Sequence, residues 1–190
     1  MDYTTLSLRD VESALSDIAR DTDATFGRFD ARQLNWRPDA RQWSVAQCFE
    51  HLLTANRLLF TAAENALTGA VPPTIWQRVP VLPGVLGRAL VRSQAPDGSR
   101  KYKAPARAQP SASDVPEDVV ARFVDQQREA ARTVSGLEER RAAQVVMTSP
   151  FVRIITYSVL DGWRLVVAHN HRHIEQARRV VQARGFPASS

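Results

Sequence analysis

The chain has 190 residues, a formal net charge of +5, 44% hydrophobic and 24% charged residues, the composition of one globular domain and not of a disordered segment. Its one cysteine excludes an intrachain disulfide and a cysteine-based zinc knot. No run of 18 apolar residues predicts a transmembrane helix, and MDYTTLSLRD has neither the basic nor the apolar region of a signal peptide. A single domain over residues 1–190, soluble and cytoplasmic, is expected.

Four long helices are predicted. The first, over 6–30, carries Leu8, Val11, Leu15, Ile18, Thr22, Phe26 and Phe29 at steps of three and four, an apolar stripe opposed by charged residues. The second, over 44–69, opens on Ser44 and Gln47, a Ser-x-x-Gln capping box, with Trp43 and Cys48 placed for a hydrophobic staple. Gly69 and the Pro72-Pro73 pair end it. The third, over 115–141, is expected to be capped by Asp114, with Pro116 in its first turn and Glu117 at the box position. Val120, Phe123, Val124, Gln127, Ala131, Val134 and Leu137 supply its period. The fourth, over 158–184, starts at Ser158 and Asp161 and stops at Gly185 and Pro187.

The connection between the second and third helices, 70–113, holds one short helical stretch, VPVLPGVLGRALV. Antiparallel neighbours need only about 2–8 connecting residues. A connection this long suits a crossover to a parallel neighbour, so the predicted fold is an all-α, up-down-down-up four-helix bundle. The β-branched stretch 142–157 is either extended or a turn of helix.

The positive charge resides in this crossover. Arg78, Arg88, Arg92, Arg100, Lys101, Lys103 and Arg107 face Asp97 alone, and the rest of the chain sums to −1. Such a segment attracts anions or merely aids solubility. Nucleic acid is a poor fit, because few aromatic residues interleave with the basic residues of 97–113.

Four histidines are present: His51, His169, His171 and His173. At 100° per residue, His169 and His173 lie about 40° apart on the edge of the apolar face of the last helix, and His171 falls among Arg164, Glu175 and Arg178 on the side expected to be solvated. His51 lies on the inward margin of the second helix by the same count. Two helices thus aim three imidazoles at a common interior edge. His-x-x-x-His is a spacing used for a divalent metal, and three protein ligands leave a position for water or substrate. The plainer alternative is a set of hydrogen-bonded core histidines. Arg172 and Gln176 are placed to orient a ring or touch substrate, or else are solvated. Cys48 reads as a small apolar filler, and Trp36, Trp43, Trp76 and Trp163 read as packing residues.

LNWRPDARQWSVAQCFEHLL, with Trp36, Trp43, Ser44 and the Glu50-His51 pair, resembles the second-helix entry of the DinB-like superfamily. AHNHRHIEQARRV, with His169, His173 and Gln176, resembles its last helix, and KYKAPARAQPS its crossover. The likeness spans about residues 7–185. It implies the same bundle topology and a divalent metal, commonly zinc or nickel, held by His51, His169 and His173. Relatives include thiol-dependent S-transferases and a mycothiol-dependent maleylpyruvate isomerase, and they often pair as homodimers. The implied activity is thus metal-dependent transfer of a low-molecular-weight thiol to a small electrophilic substrate, or a related hydrolysis. A non-catalytic bundle that binds a small ligand or a partner is the alternative.

Overall fold

The computed structural model describes residues 1–78, 82–96 and 104–188. Arg100, Lys101 and Lys103, the basic residues expected to attract an anion, lie outside them.

The described residues are all-α apart from one short hairpin. Helix α1 spans Leu8–Phe26, α2 Ala31–Asn35, α3 Val45–Thr68, α4 Leu82–Ser93, α5 Val119–Ser135, α6 Glu139–Gln144 and α7 Val159–Val181. Strands β1 (Val146–Thr148) and β2 (Thr156–Ser158) pair antiparallel, with Met147 opposite Tyr157. Helix α1 packs along α5 and α3 along α7, with further contacts between α1 and α7 and between α3 and α5. Leu15, Phe26, Phe49, Leu52, Phe123 and Tyr157 are among the fully buried side chains of one continuous apolar core. No helix among the described residues is long and apolar enough to cross a membrane.

Capping chemistry sets the helix starts. Ser7 and Asp10 form a reciprocal capping box on α1, Asp30 and Gln33 on α2, and Ser44 and Gln47 on α3, each satisfying two orphan backbone donors. The first predicted helix, 6–30, is therefore two: α1 ends at Gly27, and the Asp30 box starts α2. The third predicted helix, 115–141, is also shorter. It begins at Val119 instead of beside Asp114, its N-cap Asp118 makes no side-chain cap bond, and Gly136 ends it before α6. Val115 is held elsewhere, in a reciprocal pair of hydrogen bonds with the Asn35 side chain at 2.8 and 3.0 Å, so the chain there is committed to α2 before it can turn into α5. Gly69 closes α3 in the left-handed region, φ +71°, as its placement predicts.

The crossover holds more structure than one short helix. Besides α4 it has 3₁₀ turns at Ile75–Arg78 and Ala106–Ala108. Helix α4 packs on β2 and α7, and Gly87 makes the approach possible. A Cβ there would lie 2.5 Å from Asp161 Oδ2 and 3.0 Å from Tyr157 Cβ. Asp161 itself does not close a capping box on α7. Ser158 Oγ accepts from its N–H, and its carboxylate pairs with Arg164 at 2.9 Å.

Inside the core, an amide network ties α3, α5 and α7. Asn56, Gln127 and Asn170 are all fully buried. Asn56 Nδ2 donates to Asn170 Oδ1 (3.0 Å) and Gln126 Oε1 (3.2 Å), and Asn170 Nδ2 donates to Gln127 Oε1 (2.7 Å). Gln127, counted in the apolar stripe of the third predicted helix, is thus there for its hydrogen bonds. Removing one partner leaves the others buried and unpaired, at about 1–3 kcal/mol for each group. Asn170→Leu is expected to destabilise the protein by about 2–3 kcal/mol, a melting-point drop of roughly 5–10 °C in a chain of this size. Thermal unfolding followed by circular dichroism measures it, and an unchanged melting point would refute the role of the network. Gly87→Ala is expected to lower the melting point too, because α4 must move away from Asp161.

Candidate metal centre

Helix α7 carries the site's two-histidine half. Of its residues only Arg179 is exposed, so most of its polar side chains lie at least partly against protein. His169 and His173 are half-buried one turn apart, and His51, on α3, is 3% exposed. One ligand atom from each of the three rings lies within 4.8 Å of the other two. The ring centroids are 5.0 Å apart for His51 and His169, and 4.6 Å apart for His173 and each of the other two. No further histidine, cysteine or carboxylate joins them among the described residues.

Hydrogen bonds fix which nitrogen of each ring is available. His51 Nδ1–H donates to the carbonyl of Ala108, in the crossover, at 2.5 Å. His173 Nδ1–H donates to Gln176 Oε1 at 3.0 Å. Both acceptors are oxygens without a proton, so both rings carry their proton on Nδ1 and present a bare Nε2. His51 Nε2 lies 3.2 Å from His169 Nε2. Two imidazole nitrogens on one tetrahedral ion, each about 2.0–2.1 Å from it, are spaced by about 3.3 Å. His169 Nδ1 is buried without a hydrogen-bond partner among the described residues. The donor set, the tautomers and the spacing fit a divalent first-row metal.

Burial keeps the rings neutral. Desolvation lowers the pKa of His51 against a smaller opposing effect of the Ala108 carbonyl. It holds His169 well below the ordinary histidine value, with the neighbouring His173 and His51 adding to the effect. His173 is pushed down to about 3, first by desolvation and then by His51. A ligand must be deprotonated to bind metal, and here the fold supplies that condition.

Trp43 was read as packing, and the structure gives it a place in the site. Its ring lies 5.0 Å from that of His51 and stacks on His173 at 5.7 Å and 23°. The residue just before the α3 N-cap therefore walls the centre with an indole. Its neighbourhood was hidden in the sequence, since Trp43 is remote from both His169 and His173. Cys48 is fully buried, and burial pushes its thiol up to about 12, consistent with an apolar filler. Gln176 orients His173 as one of its expected roles required. Arg172 instead donates to the Ser93 carbonyl at 3.1 Å, tying α7 to the end of α4.

His171 corrects the expectation of a solvated side chain. It is half-buried, and its Nδ1 hydrogen-bonds the Tyr3 hydroxyl at 2.9 Å. The N-terminal 3₁₀ turn Tyr3–Thr5 covers that side of α7. The ring nonetheless stays outside the three-histidine group.

The depressed histidine pKa values have a consequence for stability. The unfolded chain takes up protons near pH 6.5, whereas the folded rings resist them. The unfolded state binds more protons below that pH, so stability is greatest above it and falls as pH drops toward about 3, the value for His173. Metal-free protein in a chelator is expected to lose denaturant midpoint steadily as pH falls below about 6.5. His173→Phe is expected to flatten that slope, and an identical slope in the two proteins would contradict it.

Comparison with curated proteins and with solved structures finds no match. A family model, the DinB superfamily, matches residues 14–177. That interval holds α3 and α5 entire, most of α1 and of α7, and all three clustered histidines, and the chain belongs to the DinB superfamily.

Proposed function

We propose that the chain is a divalent-metal enzyme in which His51, His169 and His173 hold zinc or nickel, with an external thiol and a small electrophile as substrates. The observation that carries the metal reading is the 3.2 Å approach of two Nε2 atoms whose rings are held in place by protein. Three protein ligands leave a coordination position for an exogenous group, the pattern of a catalytic site. When bound, a divalent ion supplies Lewis acidity that lowers the pKa of a water or thiol beside it.

The protein's own residues supply the rest. Ala108 and Gln176 orient two of the three rings. Burial keeps those rings neutral, so that Nε2 stays without a proton. Trp43 excludes water from one side of the centre. Cys48, buried with its thiol pushed up to about 12, is no nucleophile at neutral pH. The attacking group therefore comes from outside the protein, which favours a low-molecular-weight thiol and S-transfer, with hydrolysis as the related reaction.

This reading carries with it a single domain with an up-down-down-up course of α1, α3, α5 and α7. Contact order supports it. Phe49 meets Phe123 and Asn56 meets Gln126, so numbering rises together along α3 and α5. His51 meets His173 and Phe60 meets Trp163, so it rises along α3 and falls along α7.

Elemental analysis of purified protein is expected to find close to one divalent ion per chain. His51→Ala, His169→Ala and His173→Ala should each lose it, and His171→Gln should keep it. A parent without metal, or four variants that bind alike, would sink the reading. With metal present, thiols screened against electrophiles should give turnover that His51→Ala lacks.

A further inference from the structure

The ring of His51 is held by a carbonyl in the crossover, and the crossover at that point is itself held by the residue beside His51. Glu50 and His51 are consecutive on α3, so their side chains leave the helix about 100° apart. His51 Nδ1–H reaches the Ala108 carbonyl. The Glu50 carboxylate accepts two hydrogen bonds from Ser111, from its backbone N–H at 2.7 Å and its hydroxyl at 2.9 Å. One turn earlier on α3, Gln47 Nε2 donates to the Ser111 carbonyl at 2.8 Å, while its Oε1 accepts from the Ser44 N–H. Ser111 is thus gripped at its N–H, its hydroxyl and its carbonyl. Ala108 lies three residues upstream, a tether of at most about 11 Å, and is fully buried.

We propose that Glu50 is a positioning residue for the metal centre: by fixing Ser111 it fixes the Ala108 carbonyl, and so the tautomer and orientation of His51. This rests on the metal reading above. The logic is that of outer-shell partners generally, where a histidine ligand is only as well placed as the acceptor of its other ring proton. A carboxylate holding two donors of one residue is well suited to the task, because charge-assisted bonds are the stronger ones. It follows that metal binding and docking of segment 104–115 on α3 are coupled. An ion that needs His51 in place favours the docked crossover, and the docked crossover raises the affinity for the ion.

The test is zinc affinity, measured by chelator competition on the full-length parent, Glu50→Gln, Glu50→Ala, Ser111→Ala and, as a control on an exposed part of α3, Glu64→Gln. Amide hydrogen exchange across 104–115 is followed with and without zinc, and the melting point of each metal-free protein is recorded. Glu50→Ala is expected to weaken zinc binding 10–100-fold, the usual loss for an outer-shell partner. Glu50→Gln and Ser111→Ala, which keep some of the bonds, should fall between it and the parent. Zinc should slow exchange across 104–115 in the parent and much less in Glu50→Ala. If Glu50→Ala does not fold, the near-isosteric Glu50→Gln carries the comparison. A lower metal-free melting point with an unchanged zinc affinity would make Glu50 a structural residue only and overturn the proposal while leaving the metal reading intact. A parent that binds no zinc or nickel would overturn both.

Discussion

Helix α7 is covered around nearly its whole circumference, and it is not an apolar helix. His169, Asn170, His171 and His173 follow one another within five residues, and none of them is exposed. Burying such groups without partners costs more than the fold of a small domain can spare. Much of the surrounding architecture answers this one constraint. Asn170 is taken into an amide network with α3 and α5. His171 is met by Tyr3, and His173 by Gln176 on its own helix. His169 Nδ1 is buried without a hydrogen-bond partner among the described residues, and its other ring nitrogen faces His51. One place where ordinary hydrogen bonding falls short is thus the place where three imidazoles converge.

The same constraint explains what the sequence could and could not reveal. Helix α3 was legible almost to the residue, because its start is written in Ser44 and Gln47 and its end in Gly69. The inward margin shared by His51, His169 and His173 was legible because it is a matter of angle on two regular helices. His171 was misplaced by the same method. A helical wheel assumes one buried face, and α7 has a second, covered by the Tyr3–Thr5 turn and by α1 and α4, elements whose packing leaves no period in the sequence. Trp43 was missed as a site residue for a related reason. Position on one helix says nothing of a neighbour more than a hundred residues away. The broken first and third helices are a different kind of error. Local apolar period continued past Gly27 and Gly136, and the competing commitments, the Asp30 box and the Asn35–Val115 pair, are polar and partly long-range.

The crossover looked, in composition, like a basic linker. Its described residues behave as a structural arm instead. Helix α4 docks through a glycine against Asp161 and Tyr157, Arg172 ties its end to α7, and the return arm is anchored at Ala108, Ser111 and Val115 by side chains from α3 and α2. None of these anchors uses the excess positive charge. Joining the end of α3 to the start of α5 meets a connection's need, yet a plain tether would meet it as well. Here the return arm contributes the acceptor for a buried ring proton, so the connecting segment also completes the candidate site.

That arrangement separates what spaces the three rings from what orients them. The three rings sit on α3 and α7, whose mutual packing is set by core residues such as Leu52, Phe60 and Trp163 and by the amide network. Their orientation is set partly by a loop. Loops tolerate substitution and insertion more readily than packed helices. Ring spacing therefore belongs to the packed helices, whereas ring orientation and the wall of the site depend on the 104–115 arm and on Trp43.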